Sequence, residues 1–202
     1  MSFLDKSEHI DIRCRNLPHW HQEGRYQFVT FHQADSIPKG ALDDLIFRRK
    51  RWIAIHPEPW SAYEKTVYRM LFNEQTDSWL DSGYGTCVLK DKELARIVSD
   101  ALEYFNGTRY IIHAYVVMSN HVHVLFELLG SIKVSQICKS WKNFTALTIN
   151  RRLDRQGQFW HHESWDRLIR DRAHYDTVIS YIEKNIRLGG VIWRVGTQAG
   201  SR

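Results

Sequence analysis

Cysteine and proline are scarce in this 202-residue chain, with three of the first and four of the second, and each shortage excludes something. Cys14, Cys87 and Cys138 are far apart, odd in number and form no CxxC pair. Neither a disulfide framework nor a cysteine-based zinc site follows from them, and a reducing cytoplasm is the expected compartment. No apolar stretch approaches the roughly 20 residues that span a bilayer. The runs around Tyr110–Met118 and Val122–Leu129 are interrupted by His113, Ser119, Asn120 and His123, so no membrane partner is expected. The first residues lack the apolar core of a signal peptide, and no low-complexity block or internal repeat is present. One folded domain is expected at this length, with 43% hydrophobic and 25% charged residues in the globular range.

Acidic residues are outnumbered, 23 against 28 Lys and Arg, for a net charge of +5. A polyanionic partner is consistent with that balance. Distribution sharpens it: Lys139 to Arg172 holds eight Lys/Arg against four Asp/Glu, whereas Pro57 to Phe105 holds five against nine. Trp141, Phe144, Phe159, Trp160 and Trp165 are interleaved with the basic segment. Base stacking plus phosphate neutralisation uses such a mixture, and so does a solvated helix face above core aromatics.

Patterning predicts a polar arm over residues 1–23 with little regular structure, a folded domain over 24–190 and a tail over 191–202. Tyr26, Phe28, Val29 and Phe31 read as a first strand. Helices are predicted from near Lys39 to Arg51, after Ser61, from the Asp91 cap to Asn106-Gly107, from Val134 to Leu153 and from Ala173 to Leu188. The segment Trp79–Leu89 reads as a loop leading to a short strand. Two apolar runs separated by Ser119-Asn120 predict an antiparallel hairpin, Tyr110–Met118 with His121–Leu128. The fold class is therefore α+β, with helices packed on an antiparallel sheet.

Two places carry chemistry. On the strand His121-Val-His123, alternation puts both imidazoles on one face, about 6.6 Å apart along the axis, and Val122, Val124 and Phe126 on the other. Such a pair either shares a metal ion or is a pair of hydrogen-bonded core histidines. In the last helix, Tyr175, Val178, Ile179, Ile182 and Ile186 form an apolar stripe. Tyr181 and Asn185 lie one turn apart on its flank. A nucleophile beside a metal ligand needs that arrangement, and an interface tyrosine near a helix end produces it too. Tyr175 lies on the stripe and reads as core. His161, His162 and Glu163 fall in a loop, and His113 and Glu127 are at most outer partners of a site.

The segments Asn16-Leu-Pro-His-Trp20, Phe28-Val-Thr-Phe31, His56-Pro-Glu-Pro-Trp60, Trp79-Leu-Asp-Ser-Gly83 and His113-Ala-Tyr-Val-Val-Met-Ser-Asn-His-Val-His123 resemble those of the REP-associated tyrosine transposases, relatives of the IS200/IS605 enzymes. So do Ser140-Trp-Lys-Asn-Phe-Thr-Ala146, Phe159-Trp160, Asp166-Arg-Leu-Ile-Arg-Asp171 and Tyr181-Ile-Glu-Lys-Asn185, in the same order over nearly the whole chain. The resemblance implies the HUH endonuclease fold, a ferredoxin/RRM-like antiparallel sheet with helices on it. It also implies cleavage and transfer of single-stranded DNA beside a hairpin, through a 5′-phosphotyrosine. By the same resemblance His121 and His123 are metal ligands, Asn185 is the third, Tyr181 is the nucleophile, and the cofactor is Mg²⁺ or Mn²⁺. Two departures are evident: Ser119 stands where the family usually has Pro, and Ile186 follows Asn185 where Pro is usual. Both spare the reacting atoms. Lys139, Lys142, Arg151, Arg152 and Arg155 are the candidate phosphate contacts, with Arg13 and Trp20 of the arm reaching for a groove. The relatives include exchanged-helix dimers, so monomer and homodimer both stay open. Two other classes fit parts of the pattern. One is a domesticated hairpin-binding protein without turnover. The other is a small-molecule metalloenzyme, which needs a third histidine on a neighbouring strand.

Overall fold

The computed structural model describes residues 3–5, 7, 11–14, 18–57 and 59–196. Its elements are β1 (Asp11–Cys14), β2 (Pro18–His21), β3 (Tyr26–His32), α1 (Lys39–Ile55), α2 (Ala62–Tyr68), a π-helical turn (Arg69–Glu74) and α3 (Gln75–Asp81). A short 3-10 turn (Val88–Lys90) leads into α4 (Lys92–Glu103), β4 (Tyr110–Val117), β5 (His121–Leu128), α5 (Val134–Arg152), β6 (Trp165–Leu168), α6 (Arg172–Gly189) and β7 (Ile192–Val195). Five strands form one sheet in the order β6-β3-β5-β4-β7, every neighbouring pair antiparallel. The α+β class expected from the sequence is the class observed.

Alternation along the strands divides the core into two layers. Val29, Phe31, Val122, Val124 and Phe126 face α4 and α5, which supply Leu94, Val98, Leu102, Ile137, Trp141 and Ile149. Phe28, Ala114, Val116 and Leu125 face α6, which supplies Tyr175, Val178 and Ile182. The large aromatics of the first layer have their polar ends satisfied, as burial requires. Trp141 Nε1 donates to Tyr110 Oη and Tyr110 Oη to the Leu102 carbonyl, each at 2.8 Å. Trp141, Phe159 and Trp160 are buried and belong to this core, so they offer no stacking surface. Phe144 is exposed.

Three expectations are corrected. The arm contains a paired hairpin, β1 with β2. The tail contains β7, which adds to the sheet edge beside β4. Trp79–Leu89 holds no strand: Trp79 to Asp81 end α3 and Val88–Lys90 is a 3-10 turn. Between them Gly85 has φ +90°, and a Cβ there would stand 2.6 Å from the Asp35 carbonyl. Asp35 also accepts from the Thr86 backbone at 2.9 Å. This close approach fastens the turn after α3 to the end of β3. Among the described residues no helix is long and apolar enough to cross a membrane.

The candidate active site

Both histidines of β5 point to the α6 layer and are 1% exposed, with ring centroids 4.7 Å apart. Each is oriented through its Nδ1. For His121 the partner is Asn120 Oδ1 at 2.7 Å. The Asn120 amide is fixed in turn, because its Nδ2 donates to the Leu80 and Tyr84 carbonyls at 3.2 and 3.1 Å. Oδ1 must therefore accept, His121 Nδ1 must donate, and Nε2 keeps its lone pair. Leu80 lies in the last turn of α3, so one asparagine both bonds a helix-end carbonyl and sets a tautomer. For His123 the Nδ1 partner is Thr30 Oγ1 at 2.7 Å, from the directly opposed residue of β3. Burial pushes the His121 imidazole down to about 3 and His123 well below its ordinary range, so both are neutral.

Tyr181, on the flank of α6, places its hydroxyl 3.3 Å from His123 Nε2. Its ring meets His123 and Phe28 edge-on, with centroids 5.0 and 5.9 Å apart. One turn on, Asn185 is 1% exposed; its Nδ2 donates to the Tyr181 carbonyl at 3.0 Å, and its Oδ1 has no hydrogen-bond partner. Histidine pair and phenol thus converge within one chain. Tyr175, as expected, is core: its hydroxyl bonds His113 Nδ1 at 3.0 Å, and His113 Nε2 lies 3.6 Å from Glu127. That group sits toward the other end of β5, some 20 Å along the strand from His121, so His113 and Glu127 are no partners of the pair.

Sequence reasoning missed the acidic side of the site. α2 opens on a reciprocal box between Ser61 and Glu64, as Ser61 predicted. The helix continues through the π turn into α3, whose phase that turn sets. Asp81 Oδ1 comes to 4.0 Å from His121 Nε2, and Asp77 lies against the Tyr181 hydroxyl. Burial first, then the charges of Asp77 and Asp81, push the phenol far above the ordinary tyrosine range. Burial likewise raises Asp77 to about 6, against the pull of Arg167. The unfolded carboxyl titrates near 3.8, so the folded chain holds this proton more tightly. Its stabilising effect is full below about pH 4 and is lost as pH rises through about 6. Asp77→Asn is therefore expected to raise the melting temperature more at pH 8 than at pH 4.5. Equal shifts in scanning calorimetry at both values would contradict this environment for Asp77.

The donor set fits a divalent cation. His121 Nε2 and Asn185 Oδ1 are buried without a partner, the imidazoles are neutral, and two carboxylates stand nearby. Among the described residues no three His, Cys, Asp or Glu side chains are grouped to hold a metal ion, and the Asn185 amide oxygen is the further unpartnered donor on the α6 side. His32 is the third histidine on a neighbouring strand, opposite His121, yet it does not join the pair. Its ring is stacked between His161 and Trp165 at 4.8 and 4.7 Å, with Nδ1 bonded to Ser36 Oγ and the Gln33 carbonyl. His161, His162 and Glu163 form the adjoining loop and no metal cluster.

The candidate phosphate contacts are elsewhere. Lys139, Arg151, Arg152 and Arg155 are on or just after α5, the layer opposite the histidines. Arg152 pairs with Glu93 at 3.3 Å, and Arg155 lies over Phe159. Lys142 Nζ donates to the His162 and Glu163 carbonyls and to Ser164 Oγ at 2.9–3.4 Å. Arg13 and Trp20 belong to the β1–β2 pair; their side chains lie outside the described residues.

Comparison with known proteins gives two findings. The family model described as "Transposase IS200 like" matches residues 84–185, 102 of the 202 residues, from the turn after α3 to Asn185. A solved structure of a REP-associated tyrosine transposase bound to a REP hairpin aligns with 83% of this chain and 69% of its own, at 15% identity and a TM-score of 0.45. No curated protein matches significantly. With half of its length covered by the family model, from the hairpin carrying both histidines through the helix carrying the phenol, this chain belongs to the IS200-like transposase family.

Proposed function

We propose that this transposase cleaves and rejoins single-stranded DNA beside hairpins of repetitive palindromes, in a metal-dependent reaction through a 5′-phosphotyrosine on Tyr181. The observation that carries the reading is the 3.3 Å approach of the phenol to His123 Nε2, beside the buried, unpartnered His121 Nε2 and Asn185 Oδ1. His121, His123 and Asn185 would hold Mg²⁺ or Mn²⁺. When bound, the ion supplies a Lewis acid for a nonbridging phosphate oxygen and a positive charge that lowers the phenol pKa. Asp77 accepts the phenol proton, directly or through one water. The Tyr181 oxygen forms its bond to phosphorus as the bond to the 3′ oxygen breaks, and that oxygen takes a proton from solvent water to become a 3′-hydroxyl. The reverse attack by a 3′-hydroxyl rejoins a strand, since the phosphotyrosine conserves the bond energy. Thr30 and Asn120 keep each Nε2 directed at the reacting centre. The hairpin substrate follows the resemblance of the motifs to REP-associated enzymes.

Incubation with stem-loop oligonucleotides carrying single-stranded flanks and Mn²⁺ tests the proposal. A tyrosyl-DNA peptide containing Tyr181 is the expected product by mass spectrometry, and an adduct at any other residue would displace the assignment.

A further inference from the structure

We propose that the Arg167 guanidinium binds the phosphodiester that Tyr181 attacks. The inference rests on the DNA-cleaving function proposed above and adds a residue that touches the substrate. Strand register carries it. In β6, Arg167 lies directly opposite Phe28 of β3, and opposed residues of an antiparallel pair project from the same face. Phe28 stacks against His123 at 5.8 Å and meets Tyr181 at 5.9 Å. The next β6 residue on that face, Trp165, lies opposite Thr30, which anchors His123. Arg167 therefore rises beside the reacting groups. It is exposed to solvent, and its charge is felt at both His123 and Asp77.

The charge balance of the site gives this guanidinium its task. Two carboxylates, Asp77 and Asp81, and two neutral imidazoles line the site; the divalent cation proposed above would about offset the carboxylates, and Lys184 acts on Asp81, which leaves the charge of the phosphodiester itself for a further cation to meet. The basic residues of α5 are on the far layer and do not offset it. A guanidinium presents a planar fork that matches two phosphate oxygens, which an ammonium does not. In the step written above, negative charge builds on the nonbridging oxygens as the tyrosyl bond forms and the 3′ bond breaks. A fixed cation beside them stabilises that charge. Arg167 itself exchanges no proton or electron pair.

The test uses the full chain and a pool of stem-loop oligonucleotides with randomised single-stranded flanks, in Mn²⁺. Covalent capture is read on denaturing gels, and retention on filters reads binding. Arg167→Ala is expected to slow capture at least about 100-fold with retention within about threefold. Arg167→Lys should recover only part of the loss, and free guanidinium ion should partly rescue Arg167→Ala but not Tyr181→Phe. Rescue in trans separates substrate contact from a structural role, and the Lys variant covers any folding defect of the Ala variant. Capture by Arg167→Ala at the wild-type rate overturns the assignment of Arg167 alone. Absence of capture by the wild-type chain overturns the proposed function and the arginine role with it.

Discussion

Tyr181→Phe is expected to remove covalent capture of DNA altogether, a loss of at least about 10⁴-fold, while hairpin affinity stays within about threefold. The substitution deletes only the hydroxyl that stands 3.3 Å from His123 Nε2. The phenyl ring keeps its edge contacts with Phe28 and His123, so the α6 layer packs as before. Removal of one partly buried hydroxyl changes stability by about 1 kcal/mol. Capture and retention therefore separate cleanly in one assay. If Tyr181→Phe still captured DNA at the wild-type rate, the nucleophile would lie elsewhere, and Tyr175 would be the next residue to replace. The structure argues against that outcome: the Tyr175 hydroxyl is engaged by His113 near the far end of β5, away from the histidine pair.

The parts of this site legible in the sequence are those that one element specifies by itself. Apolar runs flanking Ser119-Asn120 are enough to predict β4 and β5, and alternation alone puts His121 and His123 on one face. Helical spacing alone puts Tyr181 and Asn185 on one flank of α6. What one element cannot specify went unseen. Asp77 and Asp81 reach the site because a π turn and a sharp glycine turn carry α3 across to it, and neither leaves a periodic signal. Thr30 matters only through its register with His123, which is a property of the β3–β5 pair. β6 and β7 each have four residues with charged members, Asp166 and Arg167 in one and Arg194 in the other. Such segments become strands because a sheet edge is available to pair them, not because their own pattern requires it. Composition singled out α5 as the basic neighbour of the motifs, yet a helix adjacent in sequence packs on the opposite side of the sheet. In the composition Arg167 is one charge among eight; only its register opposite Phe28 of β3 sets it apart from the rest.

Removal of the metal is the second large effect. Chelation, or His121→Ala, is expected to abolish capture while hairpin retention persists, because in the proposed reaction the cation would serve the scissile phosphate and not the duplex stem. Manganese binding to the DNA-free protein gives an independent reading by electron paramagnetic resonance. His121→Ala should weaken it at least about 100-fold and Asn120→Ala about 10- to 100-fold, the latter because it frees the imidazole that Asn120 orients. In the wild type, Mn²⁺ at a hundred times its dissociation constant should add about 2.7 kcal/mol of stability, visible as a rise in melting temperature that His121→Ala lacks. The site is organised for that gain. His121 Nε2 and Asn185 Oδ1 are buried without partners, at a cost of about 1–3 kcal/mol each that a bound cation would remove. Strand cleavage that survived full chelation, together with an unchanged melting temperature in Mn²⁺, would leave those two orphaned atoms unexplained and the histidine pair without its proposed role.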